Sequence, residues 1–152
     1  MIWDLEERVE DAIAAYLRAN VGGKMRVYES WNFGEPQFPC VIVHAAETDA
    51  VVPEAQWHAP REMALQIAVM TESAPEKVDG VEVRTAREVN AAARSAVIVS
   101  LAKIDLLESV IALNPPRVCF SMIQIGKAVR SVEGRTLITT IALDVIAQPT
   151  EM

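Results

Sequence analysis

The chain has 152 residues, of which 51% are hydrophobic, and a formal net charge of −7 at pH 7. This length supports one domain with a substantial core, and the acidic balance argues against a general nucleic-acid binder. No apolar run reaches the ~18 residues that cross a membrane, and the acidic start, MIWDLEERVEDA, lacks the pattern of a signal peptide. We therefore predict a protein made in a reducing cytoplasm, with Cys40 and Cys119 as buried free thiols.

The first half of the chain is predicted to contain one helix followed by three strands. Apolar residues recur at helical spacing over 3–19, and NVGG at 20–23 ends that helix. The next apolar stretches have the alternation and β-branched content of strands. They lie at 24–30, 40–47 and 61–71, separated by a loop at 31–39 and an irregular excursion at 48–60.

The second half is predicted to contain a long helix and a long hairpin. Residues 72–84 are polar and rich in turn formers, which favours a mobile loop. A helix then runs from Thr85 to Lys103, with Thr85 and Glu88 as a capping box. IDLLESVIAL favours a short extra helix, and 117–148 reads as one hairpin with its turn at Glu133 and Gly134. The order α-β-β-β-α-β-β over 1–152 predicts a single α+β domain, with two helices packed on a mainly antiparallel sheet.

No residue pattern points to an enzyme. The six glycines form neither a Walker loop nor a dinucleotide fingerprint, and no CxxC or HExxH occurs. Cys40 and His44 would share a strand face, but their Cα atoms would lie about 13 Å apart, beyond hydrogen-bonding reach. His58 sits in the loop QWHAP, where a surface contact is the simpler interpretation, and the acids of 47–54 read as solvated charge. We predict no catalytic residue, cofactor or metal.

The final strand, 135–148, has apolar residues on both faces, whereas a strand that packs on a single core needs them on one face only. Leu137, Ile141, Leu143 and Val145 are assigned to the core. The other face alternates threonine and aspartate with Ile138, Ala142 and Ile146. A half-apolar second face is explained either by cover from another subunit or by cover from the protein's own 48–60 loop.

Aromatic and basic residues supply further candidates for an interface. Large aromatics in loops often anchor protein interfaces, and Trp31, Phe33 and Trp57 all fall in predicted loops. The hairpin carries Arg117, Lys127, Arg130 and Arg135 in an otherwise acidic chain. We expect these bases to meet acidic groups on an adjacent subunit or the next ring of an assembly. DNA phosphate is the competing partner, and a solvated hairpin tip is the alternative without any partner.

The succession of elements resembles the tail terminator, or tail completion, proteins of long-tailed phages and related tail-like particles. It comprises an amphipathic helix, FPCVIVHAAETDA, REMALQIAVMTE, one long helix and a hairpin ending LDVIAQ. The resemblance covers nearly the whole chain and rests on element order and strand character. Residues 104–116 have no place in that pattern.

The resemblance implies a structural role in the virion, at the head-proximal end of the tail, after assembly in the host cytoplasm. It implies a sixfold ring that caps the tail tube, ends its growth and offers a docking surface to the head. Its partners would be further copies of itself, the tail tube protein and a connector or neck protein. DNA would pass through the lumen without specific binding, since acidic residues there would keep it from adhering. A connector or neck protein is the first alternative function, and a small-molecule-binding regulatory α+β domain is the alternative from another class. An enzyme built around Cys40, His44 and His58 comes third.

Overall fold

A computed structural model describes residues 5–29, 34–48 and 59–150. These residues form three helices and seven strands. The helices are α1 (Leu5–Val21), α2 (Ala86–Leu101) and α3 (Leu106–Ile111). The strands are β1 (Arg26–Glu29), β2 (Cys40–Thr48), β3 (Arg61–Glu72), β4 (Glu76–Val78), β5 (Val81–Arg84), β6 (Val118–Glu133) and β7 (Thr136–Pro149). The predicted α+β class, the capping box of Thr85 with Glu88 and the short extra helix are confirmed.

Five strands form the main sheet, in the order β1-β2-β3-β7-β6. The β1–β2 pair is parallel, and the other pairs are antiparallel. The long β7 does not project beyond the sheet, because β3 pairs with it from Thr136 to Ala147 and β6 pairs with it on the other side. Bulges between Phe120 and Met122 and between Ile125 and Ala128 take up the extra residues of β6.

One face of this sheet holds the core, and we call it the helix side. Alternation puts Met63, Leu65, Ile67 and Val69 of β3 there, all at most 3% exposed. Helix α1 packs mainly on β1 and β2 and adds Val9, Ile13 and Leu17 to the same core at helical spacing, each with 0% exposure. Fully burying side chains of this size contributes about 1.5–3 kcal/mol each, so this layer sets most of the domain's stability.

The other two helices cover different parts of the same side. Helix α2 packs mainly on β3, and the hydroxyl of Tyr16 ties it to α1 by donating to the Ser100 carbonyl at 2.6 Å. Helix α3 packs on β6 and contributes the buried residues Leu106 and Val110 to the core. The segment 104–116, which the family pattern left unplaced, thus closes the core over the first half of β6.

The segment 72–84, predicted as a mobile loop, contains regular structure, because β4 and β5 form a small two-stranded sheet there. Val78 pairs with Val81, and the connecting Asp79 and Gly80 have φ angles of 53° and 78°. Positive φ at both central residues is the geometry of a tight hairpin turn, for which Asp-Gly is a preferred dipeptide. The Asp-Gly pair was the sequence signal for this hairpin.

Candidate assembly surfaces

The sheet face opposite the helix side, which we call the outer face, carries the residues that alternate with the core positions. No helix covers it in the described ranges 5–29, 34–48 and 59–150, since the buried residues of α1, α2 and α3 join one core on the other side. Its apolar residues are only half-buried. They are Ile42, Ala68, Met70, Ile138, Ala142 and Ile146. The outer face therefore carries half-buried apolar residues on three adjacent strands, interspersed with the exposed Glu62, Gln66 and Asp144.

The three β7 residues predicted for an interface, Ile138, Ala142 and Ile146, all lie on this outer face. Ile138 pairs with Met70 of β3, which makes one continuous apolar strip across the two strands. Ala142 lies beside Gly126 of β6, where an added Cβ would stand only 3.4 Å from the alanine methyl group. The small side chains leave the centre of the face shallow, so another backbone could approach it closely.

The predicted basic cluster of the hairpin is not one patch. Arg117 precedes β6 at the open end of the hairpin, whereas Arg135 lies in the turn at the other end. The 16 residues of β6 separate them, which corresponds to roughly 50 Å of extended chain. Lys127 lies in the bulge between Ile125 and Ala128, and Arg130 pairs with Thr139. Since Thr139 is a buried residue of the helix side, Arg130 belongs to that side too.

A groove of ≈ 680 Å³ lies on the helix side between α2 and the turn end of the β6–β7 hairpin. It exists because α3 covers only the first half of β6. Arg87, Asn90 and Arg94, spaced i, i+3 and i+7 on one face of α2, form one wall, and Arg130 stands on β6. The apolar lining comes from Ala128, Val132 and Leu137. Leu137 was assigned to the core and is instead half-buried at this groove.

The side chains of the three arginines in this Arg87–Arg94–Arg130 groove have no partner among the described residues. Arg87 and Arg130 are exposed and Arg94 is half-buried, and none is bonded or ion-paired with another residue in the described part of the chain. No acidic residue lines the groove among the residues described. Arg87 and Arg94 were not singled out from the sequence. Their signal was the Arg-x-x-Asn-x-x-x-Arg spacing, which places the cations on one helix face.

The opposite edge of the sheet has an acidic character. Arg18 of α1 donates to both carboxylate oxygens of Glu29 on β1, at 2.9 and 3.0 Å, and to the Val27 carbonyl. Partial burial raises the pKa of Asp11, the Glu29 and Glu7 carboxylates raise it further, and Arg18 opposes the shift. Arg18 is thus engaged with Glu29, and the exposed Glu7 and Asp11 remain as a like-charged pair one turn apart.

His44 and Cys40, which were considered for catalysis, lie among contacts that belong to the fold. The buried carboxylate of Glu10 accepts the Ala45 amide at 2.7 Å, beside the bulge in β2, and His44 Nδ1 lies 3.9 Å from the same oxygen. Burial raises the pKa of Cys40 to about 11, so this thiol stays protonated at neutral pH. Both cysteines are free as predicted, but only Cys40 is buried, because Cys119 falls on an exposed position of the edge strand β6.

Several predicted residues lie outside the described part of the chain: the loop aromatics Trp31, Phe33 and Trp57, and His58. Within the described ranges, no group of three or more histidine, cysteine or acidic side chains is placed to hold a metal ion. No helix there is long and apolar enough to span a membrane. A comparison with protein-family models finds none that matches this chain, and a comparison with curated proteins finds no significant relative.

Proposed function

We propose that this protein is a structural subunit of a tail or tail-like particle, which forms a ring of six copies that caps the tail tube and joins it to the head. The observation that carries the proposal is the outer face. A patch of apolar side chains on a sheet face that no described helix covers is a common mark of a protein–protein contact. The apolar residues of β2, β3 and β7 supply it here.

The edge strand β6 supports the same role. An exposed edge presents unpaired backbone groups and is a template for pairing with another chain. In β6 the turn half is exposed, including Val129 at 61% and Val132 at 65%. A protein that lies between a tube and a head needs surfaces for different partners. The β6–β7 hairpin presents two such surfaces, the exposed edge of β6 and the outer face of β7.

A small-molecule-binding domain is the alternative from another class, and it predicts a closed apolar pocket. Three grooves among the described residues, of ≈ 450, 390 and 680 Å³, are open to solvent. The groove of ≈ 680 Å³ has a rim of arginines, which suits a protein surface better than an apolar ligand.

The proposed function is tested by measuring the mass of the assembled protein and the position at which it binds the tail tube. Purified protein would be measured by sedimentation and native mass spectrometry, alone and with tail tubes, and the mixture imaged by electron microscopy. We expect rings of six at one end of the tube. Rings attached only to the head vertex would instead identify a connector or neck protein, and a strict monomer that never binds a tube end would exclude both.

A further inference from the structure

We propose that neighbouring copies in the ring contact each other through the Arg87–Arg94–Arg130 groove of one copy and the Glu7–Asp11 face of α1 in the next copy. This inference rests on the proposed function and names the lateral contact that closes the ring. It treats the groove as an incomplete half-site whose second half is supplied by another molecule of the same chain.

The arginines that line the groove favour an anionic partner. Arg94 is half-buried and makes no bond within the described chain, and Arg87 lies two helical turns away on the same face. Cations gathered around an apolar floor repel one another unless carboxylates or phosphates come between them. Arginine binds a carboxylate by two parallel hydrogen bonds, so a pair of acids one helical turn apart fits such a rim.

The α1 helix presents that pair of acids. Most of α1 is buried, and Glu7, Asp11 and Ala15 are exposed at i, i+4 and i+8 along one stripe. The small Ala15 allows the helix to come near the apolar floor of the groove. Burial is the main cause of the raised pKa of Asp11, and repulsion by Glu29 and Glu7 adds to it; arginines from a neighbour would offset that repulsion.

The positions of the two surfaces in the fold support a head-to-tail contact. Asp11 lies towards β1, one edge strand, because Glu29 of β1 acts on it, whereas the groove lies at the turn end of β6, the other edge strand. Four strand spacings separate these edges, or about 19 Å. Two different, complementary patches on opposite edges of one subunit produce heterologous contacts, and such contacts form a ring when the rotation between copies closes.

Charge exchange between variants tests this contact. Arg94→Glu/Arg130→Glu makes the groove acidic, and Glu7→Arg/Asp11→Arg makes the α1 face basic. Each variant alone would then oppose like charges at every contact, and association should weaken on the order of a hundredfold. Mixed in equal amounts, the two variants can alternate around an even-numbered ring with an attractive pair at every contact. We expect the mixture to restore assembly, measured by sedimentation at low salt with and without tail tubes.

The control is Lys77→Glu/Lys103→Glu, which makes the same change in charge at exposed positions outside the groove and outside the β6–β7 hairpin. It should assemble like the wild type, and circular dichroism with thermal unfolding should show all variants folded. If the wild type assembles and the exchange variants do too, or if mixing restores nothing, the contact is wrong while the proposed function stands. If the wild type neither associates nor binds a tube, the proposed function fails as well. If Arg94→Glu/Arg130→Glu loses only affinity for a DNA oligonucleotide and assembles normally, the groove is a phosphate site and the proposal is overturned.

Discussion

Arg130 of β6 pairs with Thr139 of β7, and this register places the arginine on the helix side of the sheet, beside Arg87 and Arg94 of α2. The hairpin therefore does not present its cations together at its tip. It brings one of them to a helix whose own cations are far away in sequence. The protein thus has two unlike surfaces, an apolar outer face and a basic groove, on the two sides of one sheet.

Thr139 and Thr71 should respond in opposite ways to the same substitution. Both are buried, at 0% and 1% exposure. The Thr139 hydroxyl has no hydrogen-bond partner in the described chain, whereas the Thr71 hydroxyl accepts the Asn90 amide at 2.9 Å. Thr139→Val removes an unsatisfied polar group and should stabilise the fold by about 1 kcal/mol, whereas Thr71→Val should destabilise it by about 1–3 kcal/mol. Urea unfolding of both variants measures the difference, and equal signs would contradict the assignment.

Gly22 should be intolerant of a side chain that Gly23 accepts. A Cβ on Gly22 would stand 2.4 Å from the Arg18 carbonyl oxygen, a backbone atom, whereas nothing lies within 4 Å of the same position on Gly23. Gly22→Ala must therefore shift the end of α1, at a cost of about 1–3 kcal/mol. Gly23→Ala is the control and should change the unfolding free energy much less. Comparable losses in the two variants would show that the helix end adjusts freely.

Asp11 should make the folded chain less stable as the pH rises. Its folded-state pKa is raised above the ordinary value of an aspartate, chiefly by partial burial. Its stabilising contribution is therefore complete below the unfolded pKa and is lost as the pH rises through the folded pKa. Asp11→Asn should raise the melting temperature at pH 7 and change it less at pH 3. Because the proposed ring contact uses Asp11, the same variant should assemble less well.

Glu88 provides the opposite pH trend as a control. The Thr85 backbone and side chain hydrogen bonds lower the pKa of this carboxylate. Its contribution is present above the unfolded pKa and is lost as the pH falls through the folded pKa. Glu88→Gln should therefore cost stability at pH 7 and less at pH 3. If thermal unfolding showed the same pH trend for Asp11→Asn and Glu88→Gln, the assignment of these shifts would be wrong.

The outer face should matter for assembly and little for folding. Ala142 is half-buried at its centre, so Ala142→Glu should change the stability of the monomer by about 1 kcal/mol or less but place a charge in the proposed contact. Val99→Glu is the control, because Val99 is 61% exposed on α2, away from the sheet. Tube binding of the two variants, measured by co-sedimentation, should fall only for Ala142→Glu. Equal binding would mean that the outer face has no partner on the tube or in the ring.

The sequence was sufficient to predict a helix or a strand where one hydrophobic period, helical or alternating, dominates a segment. Alternation in β3 and β7 identified the core residues apart from Leu137, and the Thr85–Glu88 spacing identified the start of α2. The sequence was insufficient in β6, where bulges decide on which face of the sheet each side chain lies. Two bulges in β6 reset which of its side chains face the helices, and a shift of one residue moves a side chain to the other face of a sheet. The side of Arg130, and therefore the groove, could not be read from spacing alone.

The measurement that tests the central claim most directly is the length of tail tubes polymerised with and without this protein. Tube subunits would be assembled at a fixed concentration, the protein added at increasing ratios, and tube lengths and ends recorded by electron microscopy. The account predicts that tubes become shorter as the ratio rises and that a sixfold ring sits on the capped end, with Ala142→Glu having little effect on length. Tubes of unchanged length with bare ends at every ratio would contradict it.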